Sequence, residues 1–108
     1  MTVRELTESG LFEPIVLPDG EREITGVYIG DLLSWVMGRA GSGDAWITIM
    51  SNANILAVAT LADTACIILA EGVMPDDGVA DIAAQKQINL LRSKYSAYET
   101  AVLLHERL

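Results

Sequence analysis

Six consecutive apolar residues, Ala65-Cys66-Ile67-Ile68-Leu69-Ala70, constrain the fold of this chain more than any other segment. Side chains alternate from face to face along a strand, so a strand of this kind is apolar on both sides and needs cover on both. Strands covered in that way belong to parallel sheets packed between helices. The longer stretch from Ile55 to Ala70 falls short of the roughly 20 residues of a membrane span, and Asp63 interrupts it. It reads as two buried elements joined by a turn at Asp63.

The flanking segments repeat the pattern. Thr2-Val3-Arg4-Glu5 matches a capping box, predicting a short helix to Ser9 that stops at Gly10. Phe12 to Leu17 reads as a strand, Pro18-Asp19-Gly20 as a turn, and Ile24 to Ile29 as a second strand. Asp31 is placed to cap a helix carrying Leu32, Leu33, Val36 and Met37, which dissolves into Gly38-Arg39-Ala40-Gly41-Ser42-Gly43. Ala45 to Met50 is a further strand, followed by an alanine-rich helix from about Ala53 to Ala62 capped by Ser51-Asn52. After the apolar run, Pro75-Asp76-Asp77 opens a helix with Val79, Ile82 and Ala83 inward, and Ile88 to Leu91 is a short strand. Ser96-Ala97-Tyr98-Glu99 is a second capping box, starting a terminal helix through Val102, Leu103 and Glu106. Strands alternating with helices imply βαβ units. The expected fold is therefore α/β: one compact domain over residues 1–108, with a mostly parallel sheet of four to five strands flanked by helices.

Charge excludes several partners. Fifteen acidic residues against seven basic ones give a net charge of −8. Nucleic-acid binding needs a basic footprint, and an anionic membrane surface repels such a chain. The single cysteine, Cys66, cannot form an internal disulfide, and residues 1–10 have no apolar signal core. A reducing cytoplasm is the expected setting.

Catalytic signals are weak. The loop Gly38 to Gly43 leads from a helix into a strand, whereas phosphate loops lead from a strand into a helix and end in Gly-Lys-Ser/Thr. It reads as a helix C-cap and connector. His105, the only histidine, lies in the last helical turn, where it suits the negative end of the dipole. Asp76-Asp77 reads as a capping pair, and no His/Cys cluster offers a metal its ligands. No catalytic residue, metal or cofactor is expected.

Two surfaces stand out. In open parallel sheets ligands bind beyond the carboxyl ends of the strands. The polar residues falling there are Asp31, Ser51, Asn52, Asn54, Gly72, Asp76, Ser93, Tyr95 and Ser96, either as a small-molecule pocket or as ordinary helix caps. Separately, 51% apolar residues is a surplus for 108 residues, and surplus apolar surface marks an interface. A homodimer is expected, with Ile55, Leu56, Val58, Ala59 and Leu61 as its contact and Trp35 as a second, unless that helix is buried within the monomer.

The run from Gly30-Asp31 through Ala45-Trp46-Ile47-Thr48-Ile49, Ala65 to Gly72, Pro75-Asp76 and Ser93-Lys94-Tyr95-Ser96-Ala97-Tyr98-Glu99-Thr100-Ala101 resembles the DRTGG domain family, over about Val27 to Leu104. The resemblance is to small stand-alone members related by name to HPr serine kinase. It implies a fold similar to the amino-terminal domains of HPr kinase/phosphorylase and of Mur ligases. The name-giving Asp-Arg-Thr-Gly-Gly signature falls just after the strand ending near Met50, where this chain has Ser51-Asn52-Ala53-Asn54. The kinase domain and its phosphate loop are missing, so the resemblance implies no kinase activity. Stand-alone members often occur near redox or hydrogenase genes, which implies a protein partner from that neighbourhood. The leading expectation is a non-catalytic regulatory or assembly module. A small-molecule sensor, for instance of a nucleotide, comes second and a small enzyme third.

Overall fold

The computed structural model describes residues 1–108. Five strands form one sheet: β1 (Glu13–Val16), β2 (Gly26–Ile29), β3 (Asp44–Thr48), β4 (Cys66–Leu69) and β5 (Leu90–Arg92). Their spatial order is β1-β5-β4-β3-β2. The pairs β2–β3, β3–β4 and β4–β5 are parallel, and β1 closes the far edge antiparallel to β5. The parallel crossovers contain α2 (Leu33–Arg39), α3 (Asn54–Ala62) and α4 (Val79–Gln85); α1 (Val3–Glu8) and α5 (Ala97–Arg107) lie outside them. The fold is a single α/β domain with a mostly parallel sheet flanked by helices.

The apolar run behaves as its pattern requires. All four residues of β4 are buried. Cys66 and Ile68 join Val3, Leu6, Ala45, Ile47 and Leu104 in a core under α1 and α5. Ile67 and Leu69 join Val36, Trp46, Ile55, Leu56 and Val79 in a second core under α2, α3 and α4. Alternation along one strand thus feeds two cores. Full burial pushes the Cys66 thiol up to about 12, because its thiolate would be desolvated. Native protein at pH 8 is expected to ignore a soluble thiol reagent, and denaturant should release one reactive thiol per chain. Rapid labelling of the folded protein would contradict this packing.

That second core corrects the expected dimer contact. Ile55, Leu56, Val58 and Ala59 are 0–4% exposed, because α3 sits against the middle of the sheet between α2 and α4. They are spent inside the monomer. Only Leu61, at 70%, and Trp35, at 55%, face outward.

Helix starts also shift. Thr2 and Glu5 form the predicted capping box, and Ser96 accepts the Glu99 amide. Asp31, however, caps nothing: Leu32 is the cap residue of α2 and offers no side-chain bond. The helix expected from Pro75 begins at Val79, because Gly78 takes a left-handed φ of 84° and breaks the continuity. Gly38 lies inside α2, and the turn into β3 closes at Gly43, whose φ of +84° and contact with Thr25 leave no room for a side chain.

Consecutive strands β1 and β2 occupy opposite edges, so residues 17–25 must cross the whole amino-terminal edge of the sheet. This strap is pinned on the way. The Asp19 amide and carbonyl bond the buried Asn89 side chain before β5. Arg22 bonds the Asp63 carboxylate and carbonyl before β4. The Thr25 amide bonds Gly43 before β3. The Ser42 hydroxyl, then the Arg22 guanidinium, hold the Asp63 carboxyl below the usual carboxylate range.

Candidate functional site

The nine polar residues expected at the carboxyl edge do converge there, because β2 to β5 all end on that side. Their polar atoms are largely engaged with one another. Asp31 turns back toward β3 and accepts from the Thr48 hydroxyl at 2.8 Å and the Ile49 amide at 2.9 Å. The Ser51 hydroxyl donates to Asp76 at 2.8 Å, and the Asp76 amide returns a bond to the Ser51 carbonyl. Asn52 accepts the Asn54 amide at 2.9 Å. The Gly72 amide donates to the Ser93 carbonyl, and the Gly72 carbonyl accepts from Arg92. Ser93 is fully buried, shares a hydrogen bond with Thr100 and accepts the Tyr95 amide. Ser96 holds the first turn of α5.

Bonds between the loops explain why these latches enclose no hollow. Ligand crevices in open sheets form at a switch point, where adjacent crossovers leave for opposite faces. Here the loops after β2, β3 and β4 lead to helices on one face and the loop after β5 leads to α5 on the other. The Glu71 and Gly72 amides, however, bond the Tyr95 and Ser93 carbonyls and close the space between β4 and β5. Of the nine residues only Tyr95 lines a cavity, a hollow of about 260 Å³ beside Tyr98, Glu99, Val102 and Leu103.

The largest concavity lies elsewhere, as a groove of about 570 Å³ between β2 and α5. Val27 and Ile29 project from β2 on the α5 side, in register with Ala45 and Ile47. Tyr98, Ala101, Val102 and His105 present a second face of α5, and Leu108 closes its end. Leu104 and Thr100 point into the core. Helical spacing of i, i+3, i+4 and i+7 puts the four groove residues on one stripe. Ile29 is 50% and Tyr98 76% exposed. Sequence reasoning missed this surface, although α5 showed the signal: apolar residues at 97, 98, 101, 102, 103 and 104 are too many for one buried stripe.

Few groups here are arranged for chemistry. His105 is exposed in the last turn of α5, with no side-chain hydrogen bond that would orient it. No group of three or more His, Cys, Asp or Glu side chains gathers to hold a metal ion. No helix is long and apolar enough to cross a membrane.

The family model of the DRTGG domain matches residues 19–107, nearly the whole chain. The chain belongs to the DRTGG domain family. A similar solved structure contains the CBS and DRTGG domains of the regulatory region of Clostridium perfringens pyrophosphatase, complexed with its activator diadenosine tetraphosphate. It superposes with a TM-score of 0.71 at 14% sequence identity, over 94% of this chain and 45% of that one. At that identity the likeness is one of fold, and this DRTGG domain spans less than half of its neighbour. No curated protein matches the chain by sequence. At the position expected for the family signature, just past β3, the domain presents a turn closed by Asn52 on the Asn54 amide and the Ser51–Asp76 latch. Ala53, not Ser51 or Asn52, is the cap residue of α3, without a side-chain bond.

Proposed function

We propose that this DRTGG domain is a non-catalytic regulatory or assembly module of the cytoplasm whose working form is a homodimer. One observation carries the reading: the folded monomer leaves Val27, Ile29, Tyr98, Val102 and Leu108 uncovered around a single groove, in a chain whose net charge favours solubility. Contiguous apolar surface of this kind on a small domain marks an association site. Two copies of charge −8 repel at long range, and salt screens that repulsion with a Debye length of roughly 8–10 Å at physiological strength. Light scattering at micromolar concentration should therefore give the mass of two chains, with the dissociation constant falling as sodium chloride rises. A single-chain mass at all salt concentrations would refute the homodimer.

A second reading, small-molecule sensing, draws on the activator present in the pyrophosphatase structure. Ligand that binds only the native state raises the melting temperature by mass action. A thermal-shift series with adenine nucleotides and dinucleotides tests it. Sensing at the carboxyl edge predicts a concentration-dependent shift that Asn52→Ala with Asn54→Ala removes; a flat response to every nucleotide counts against it.

A further inference from the structure

Resting on the homodimer reading, we infer that the partner in the groove is a second copy of this chain, joined antiparallel along strand β2 so that two five-stranded sheets become one of ten. The two edges of the sheet are built differently. At one edge, β1 carries Glu13, Pro14 and a register irregularity between Pro14 and Val16, the devices by which edges resist pairing. At the other edge, β2 reads Gly-Val-Tyr-Ile, without proline, charge or irregular pairing, and no strand lies on its outer side. An unguarded edge beside an apolar groove suits strand addition.

Charge and symmetry favour a second copy as the added strand. No Asp or Glu side chain lines the groove, although the chain has fifteen, so two acidic copies can approach there without stacking charged side chains, the α-carboxylate of Leu108 lying only at its end. A two-fold axis perpendicular to the sheet keeps both α5 helices on the same side. It must pass through a residue position, because opposed residues in an antiparallel pair point to the same face. Centred on Tyr28, it sets Val27 opposite Ile29 of the second copy, twice, and merges the two grooves beneath facing Tyr98 and Val102 side chains. Centred on Ile29, it would bring Val27 against Asp31. Isologous two-fold pairing is also the commonest assembly of soluble chains.

The test is sedimentation equilibrium of the full chain and its variants, with circular dichroism to verify folding. Ile29→Asp and Val27→Asp each place a charge in the shared groove and should weaken the dimer roughly a hundredfold or more. Leu61→Asp and Trp35→Asp, exposed on the opposite side of the sheet, should leave it unchanged. Independently of folding losses, an equimolar mixture of Val27→Cys and Ile29→Cys proteins should oxidise to the mixed disulfide, since Cys66 is buried and inert. If the wild-type chain is monomeric, the homodimer reading itself fails. If it is dimeric but indifferent to both β2 changes, or dissociates with Trp35→Asp or Leu61→Asp instead, the homodimer stands and the β2 pairing is overturned. Absence of the mixed disulfide in an intact dimer also overturns it.

Discussion

Replacing Trp46 by alanine should remove about 3–5 kcal/mol of stability, the range for emptying a large aromatic site in a core. Trp46 is fully buried in β3 and packs in the core beneath α2 and α3. Its indole N–H donates to the Gly30 carbonyl at 2.9 Å, so truncation both opens a cavity and strips a partner from the turn after β2. Domains of this size have roughly 5–15 kcal/mol in total, so the variant stands near the edge of folding. Trp46→Phe keeps part of the apolar contact but loses the hydrogen bond and the volume of one ring, for about 2 kcal/mol. Urea titration read by far-ultraviolet circular dichroism separates the two, and a Trp46→Ala loss under 1 kcal/mol would mean the packing described is wrong.

Asn89 carries the second large effect. Its side chain donates to the carbonyls of Asp19 at 2.8 Å and Ala65 at 3.0 Å, and accepts the Asp19 amide at 3.0 Å. Asn89→Ala leaves three backbone groups without that partner, and a loss on the order of 3 kcal/mol is expected at 1–3 kcal/mol per unsatisfied buried group. Asn89→Asp should be at least as damaging at neutral pH. The introduced carboxylate is buried facing two carbonyl oxygens, which raises its folded pKa above the unfolded value near 4. The penalty is then present above the folded pKa and relieved as pH falls through it, when the protonated carboxyl can donate one bond. Chemical denaturation of both variants at pH 5 and pH 8 checks the sign: Asn89→Asp should lose less at pH 5 than at pH 8, and Asn89→Ala should lose about the same at both.

How much of this was legible in the residues depended on whether the cause was local. The two-faced run around Ile67 and Ile68 specified a sheet with helices on both sides, because only that architecture hides both rows. The Thr2–Glu5 box and the Asp63 turn were legible because capping and left-handed turns are satisfied within a few residues. Asp31 was misread because a carboxylate before a helix resembles a cap, while its partners Thr48 and Ile49 lie at and just past the end of another strand. The apolar helix residues Ile55 to Ala59 looked available to a partner, since nothing local distinguishes a helix over the centre of a sheet from one at its margin. The antiparallel β1 and the groove beside β2 share that limitation. Both follow from which strand ends up at an edge, and edge position is set by the whole chain.

The strap along the amino-terminal edge of the sheet has a consequence for motion. Sheet margins ordinarily fray independently, each edge strand opening at its own low free energy. Here nine residues bridge four inter-strand steps, a distance of about 19 Å at 4.8 Å per step. They are fastened to the residues preceding β5, β4 and β3 in turn, and the amino terminus bonds to the same strap through the Ile24 amide and the Arg22 carbonyl. Peeling β1 away from β5 pulls on the clasp at Asn89, and loosening β2 pulls on the one at Gly43. Opposite borders of the molecule are thereby linked, and amide hydrogens at the two borders are expected to exchange with solvent through one shared opening.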